Sequence, residues 1–128
     1  MKPATNAWLR KAEGDHDTAL RELRARRRPN YDAACFHAQQ AIEKHLKALL
    51  TERGKLFPKI HDLVKLGEWC GAFVPHLIFY EEELDRLARY AVVFRYPGET
   101  ATRAEAATAI AAMRRVRTFL KDHAGLKR

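Results

Sequence analysis

"YDAACFHAQQAIEKHLKALL", residues 31–50, is the stretch from which the architecture follows. Cys35, Ala38, Ile42, Leu46 and Leu49 recur at three- and four-residue spacing, which draws one apolar stripe down a helix. Glu43 and Lys47 add a supporting i,i+4 pair, Asn30 and Asp32 offer an N-terminus, and Gly54 offers a stop. Upstream, Ala12, Ala19 and Leu23 keep helical spacing from about Ala4 to Arg26, with Trp8, Leu9 and Leu20 beside them, until Pro29 closes the segment. Downstream, a Pro-containing loop leads to a short helix from Asp62 to Trp69 that ends at Gly71. After Pro75, Leu77, Tyr80, Leu84, Leu87 and Ala91 stay in register until Pro97 ends the helix. "TRAE", Thr102 to Glu105, matches a capping box for a last helix carrying Ala106, Ile110, Met113, Val116 and Leu120 to about Asp122. The expectation is an all-α, up-and-down bundle of four long helices plus one short connecting helix, a single domain over residues 1–124 with a frayed tail at 125–128.

Composition agrees. In 128 residues, 21 Ala and 14 Leu outnumber 5 Val and 4 Ile, a choice that suits helical rather than pleated backbone. No leader peptide and no membrane-spanning apolar run is apparent, so a cytoplasmic protein with no membrane partner is expected. Cys35 and Cys70 have no metal-like spacing and read as buried thiols, and neither a metal nor a cofactor is called for. His37 and His45, eight apart, also lack the spacing that would share an ion. The net charge of +8 rests on 15 Arg against 9 Lys, which favours bidentate contact with phosphate or carboxylate; a solvated surface is the other reading.

Helix two together with "HDL" at His61 to Leu63, "RYP" at Arg95 to Pro97, and Trp8, Ala12, Asp15 and Ala19 in the first helix resembles the HEPN domain family over nearly the whole chain. That resemblance implies a helical bundle that usually dimerises and binds nucleotides or RNA. It also implies a minimal nucleotidyltransferase as partner, in a toxin-antitoxin-type pair. Catalytic members carry an Arg, four to six residues, then a His that moves protons while the guanidinium holds phosphorane charge. Here the corresponding positions after Arg89 and Arg95 hold Phe94, Arg95, Tyr96, Thr100, Ala101 and Thr102, so metal-independent cleavage is not expected there. Arg10 with His16 and Arg117 with His123 fit the spacing, but this composition yields about two such matches by chance. Arg117 and His123 remain the only weak catalytic candidates.

A binding site without a proton carrier is the leading expectation. Arg86, Arg89, Arg95 and Tyr96 are expected to cluster at the end of the fourth helix and hold phosphate, with Gln40 and Lys44 of helix two as further ligand contacts. Gln39 and Glu43 belong to the same family pattern, although a solvated face accounts for all four more simply. The RYP stretch can equally be a hinge, with Arg95 capping its own helix. Five Arg between Arg21 and Arg28 form a second basic cluster, and Arg114, Arg115, Arg117 and Lys121 a third; whether these two share a pole depends on how the short helix crosses. A metal-independent ribonuclease toxin and a non-catalytic helical adaptor are the alternative functions.

Overall fold

The computed structural model describes residues 1–124 and 126. Its elements are α1 (Pro3–Arg24), α2 (Tyr31–Glu52), α3 (Leu63–Gly71), a 3₁₀ turn (Leu77–Tyr80), α4 (Glu81–Val93) and α5 (Arg103–His123), with no strand among the described residues. The fold is an all-helical bundle. Three of the four residues expected in the frayed tail, 125, 127 and 128, lie outside the described residues.

The local signals act as their chemistry requires. Asn30 accepts from the Ala33 amide, Asp62 accepts from the Lys65 amide, and Thr102 and Glu105 close a reciprocal capping box. Two boundaries differ from expectation. His76 takes a left-handed conformation at φ 73°, so the segment after Pro75 enters as a 3₁₀ turn and becomes α-helical only at Glu81. At the other end α4 stops at Val93, because Tyr96 precedes a proline and the exit passes through Gly98 at φ 91°.

α2 is the axis of the bundle and packs against α1, α3, α4 and α5. Burial therefore runs around more of it than the single expected stripe, covering Gln39, Glu43, His45 and Lys47 as well as Ile42, Leu46, Leu49 and Leu50. Ile42 is fully enclosed, which stabilises by about 1.5–3 kcal/mol for a side chain of this size. Leu63 and Leu66 of α3, Leu87 of α4, and Met113, Val116 and Leu120 of α5 complete the core.

Contacts between elements fix the direction of the helices. Lys2 at the start of α1 bonds Thr51 and Glu52 at the end of α2, while Glu22 near the end of α1 accepts from the Asn30 amide at the start of α2. Asp32 of α2 accepts from the Ala101 amide at 2.7 Å just before α5, and Lys121 near the end of α5 returns to Glu13 of α1. Glu83 at the start of α4 meets Arg115 of α5, and Tyr80 just before it packs on Phe119, so α1 and α4 run one way and α2 and α5 the other, with α3 joining the end of α2 to the start of α4 on one side of the bundle. The arginine clusters that end α1 and α5 consequently lie at opposite poles.

Candidate nucleic-acid interface

One pole gathers the end of α1, the start of α2, the end of α4 and the start of α5. Arg21, Arg24, Arg26, Arg27 and Arg28 are exposed on one side of the Asp32–Ala101 tether, and Arg95, Tyr96 and Arg103 on the other. Among the described residues, Arg24, Arg26, Arg27, Arg28, Arg95 and Arg103 make no ion pair with the protein. Six unneutralised guanidiniums on one surface raise its potential and leave their donors open to an anion.

The opposite pole is different. Arg117 forms a bidentate pair with Glu13 at 2.8 Å, Lys121 joins the same carboxylate at 3.4 Å, and Arg115 lies 3.4 Å from Glu83. Burial alone would push the Glu13 carboxyl up, but the hydrogen bonds and charges of Arg117 and Lys121 outweigh it and hold the group below its ordinary value. His123 stacks beside Phe119, with ring centroids 5.1 Å apart. Arg117 is thus engaged in joining α5 to α1, on a different side of α5 from His123. Arg10 is exposed, and His16 Nδ1 is 3.0 Å from Asp17. Glu13, His16 and Asp17 come close enough to share an ion, yet the carboxylate of Glu13 already faces two cations.

The expected ligand residues separate into two places. Arg89 pairs with Asp85 across an exposed turn of α4 at 3.0 Å, and Arg86 is half-buried on the same helix. Arg95 and Tyr96 lie beyond the helix end, so Tyr96 does not share a helical face with Arg89; it is 64 % exposed in the turn. Gln40 and Lys44 sit about 14 Å and about 20 Å along α2 from its start, by the rise of a helix. Lys44 reaches Asp15 at 2.6 Å, His37 Nδ1 reaches the other oxygen at 2.8 Å, and Gln40 donates to Gln39 at 2.9 Å.

That last group corrects the expected solvated face. Gln39 donates to Glu43, whose carboxylate also receives Lys47 and His61. Gln39 and Glu43 are buried, and the chain of bonds ties α2 to the entry of α3. Charged residues could be enclosed here because each meets a partner of opposite character. The sequence signal for it was "HDL" at His61 to Leu63, which carried the family resemblance and lay at the start of the short helix without pointing to Glu43. Cys35 and Cys70 are both buried and free; burial pushes each thiol up to about 12, helped at Cys35 by Asp32 and Glu105, so neither supplies a thiolate.

The family model for the HEPN domain matches residues 5–123. The chain belongs to the HEPN domain family. A crystal structure of TT1696 from Thermus thermophilus superposes with a TM-score of 0.79 at 25% identity, covering 94% of this chain and 98% of that one. A search of curated proteins returns no match. Membership in the HEPN family supports a nucleotide- or RNA-related module, and no described helix is long and apolar enough to cross a membrane.

Proposed function

We propose that this HEPN protein binds the phosphates of nucleotides or RNA at its basic pole, as a homodimer acting beside a minimal nucleotidyltransferase in a toxin-antitoxin-type pair. The observation that carries the phosphate reading is the contrast in pairing: among the described residues the six guanidiniums of one pole make no ion pair, whereas three of the four basic residues toward the end of α5, Arg115, Arg117 and Lys121, meet carboxylates and Arg114 alone does not. Arg95 and Tyr96 supply the α4 side of the surface, with Arg86 and Arg89 along its flank; the Arg89–Asp85 pair is exposed and exchanges readily for phosphate. Lys44 and Gln40 serve as outlying contacts for a longer strand. The family resemblance supports the dimer and the nucleotidyltransferase, and the neighbouring reading frame checks the latter.

Arg28 adds a second line of support. It occupies φ 48° immediately before Pro29, a conformation that costs a residue with a Cβ about 1–2 kcal/mol and that glycine accepts freely. A guanidinium retained at a glycine position points to work outside the fold. Binding of single-stranded RNA by Arg28→Gly, Arg89→Ala and Arg95→Ala, followed across a salt series, tests the proposal. Each variant should lose about 1.5–3 kcal/mol of binding and lower the log-log salt slope by roughly 0.7. Arg28→Gly should do so without loss of stability, and Arg114→Ala at the far pole should bind as the parent does. Unchanged slopes in all three variants would leave the RYP stretch a hinge and favour the helical adaptor.

A further inference from the structure

A cleft of about 370 Å³ opens between α3, the 3₁₀ turn and the start of α4, remote from the basic pole. Its walls are apolar, from Val64, Val74, Leu77 and Leu84, and Gly67 and Gly71 on successive turns of α3 leave its floor without side chains. A Cβ on Gly67 would stand 2.6 Å from Leu84 Cδ1, so this glycine lets α4 approach. A Cβ on Gly71 meets nothing within 4 Å, so the room there is unused by the fold. Glu68 and Glu81 stand on the two sides, and neither makes an ion pair or side-chain hydrogen bond among the described residues. Among the described residues, no Lys or Arg lines this cleft. Ile78 and Phe79 are 65 % and 75 % exposed beside it, and Phe79 is held by stacking on His76 with centroids 5.6 Å apart.

We infer that this cleft is a docking site for a partner protein's amphipathic helix whose apolar side chains are flanked by Lys or Arg. The walls take the apolar anchors, Ile78 and Phe79 extend the contact, and Glu68 and Glu81 meet the flanking cations. The charge of the occupant follows from the rim, where Glu68 and Glu81 are the charged residues that line the cleft, so cations flanking the apolar anchors are complementary to it.

Fluorescence anisotropy of a labelled helical peptide with Leu on one face and Lys on the other tests the site, beside the same peptide with Glu in place of Lys. The Lys–Leu peptide should bind and the Glu–Leu peptide should not compete for the cleft. Gly71→Phe fills unused space at a helix end where glycine is not required, and Glu68→Lys with Glu81→Lys reverses the rim; each should weaken binding about tenfold. Unchanged anisotropy on adding the parent protein, or equal binding by the filled and reversed variants, would overturn the proposal. A change in the mass of Gly71→Phe by light scattering would overturn it in favour of self-association. RNA binding should be the same in all these variants, so failure here and failure of the phosphate reading are separable.

Discussion

At the scale of single residues, Arg117 uses its ε and terminal nitrogens on Glu13, so Arg117→Ala leaves a half-buried carboxylate between α1 and α5 with only the longer Lys121 pair at 3.4 Å. We expect a loss of about 1–3 kcal/mol, several degrees in melting temperature for a domain of this size, with RNA binding unaffected. Calorimetry against Arg114→Ala, whose exposed side chain has no such partner, checks it. The pH dependence has a defined sign. Because the folded carboxyl of Glu13 is held below its ordinary 4.5, this contribution is complete above that value and disappears as pH falls from there through the lower folded value. Arg117→Ala should therefore lose its penalty in acid, and a penalty that persists below that window would assign the effect to packing instead. The role of Arg117 was illegible from spacing, since Glu13 is 104 residues away in sequence.

At the scale of elements, α5 begins in a turn that does two jobs at once. Thr102 and Glu105 satisfy each other's amides, while the preceding Ala101 amide is pinned by Asp32. Thr102→Ala should cost about 1 kcal/mol, as a lost N-cap does, and loosen the Arg95–Arg103 side of the basic pole. Thermal unfolding reads the first effect, and amide exchange at Ala101 reads the second; unchanged exchange would make the cap purely local. The capping box was legible because both partners lie within four residues. The Asp32 tether was not, and neither was the early end of α4, where the turn before Pro97 overrides an apolar register that could have continued.

At the scale of the whole molecule, the uncovered apolar residues at the end of α4, Val92 and Val93, are 54 % and 42 % exposed. Placed on a two-fold axis they would bury each other and bring two basic poles side by side. Light scattering should give twice 14.7 kDa, and Val92→Asp should return the mass to that of one chain; a monomeric parent would remove the dimer from the proposal.

That this protein is helical, and where α2, α3 and α5 begin, were readable along the chain, because helix periodicity and caps act within a few residues; the 3₁₀ entry after His76 and the end of α4 at Val93, short of RYP, were not. The family was legible for the same reason, from motifs in order along the chain. Which arginines are left without partners is a property of the folded arrangement alone. Charge neutralisation depends on what stands a few ångströms away in space, and the antiparallel run of α1 and α5 sets Glu13, midway along α1, beside Arg117 while leaving Arg28, Arg95 and Arg103 exposed at the basic pole.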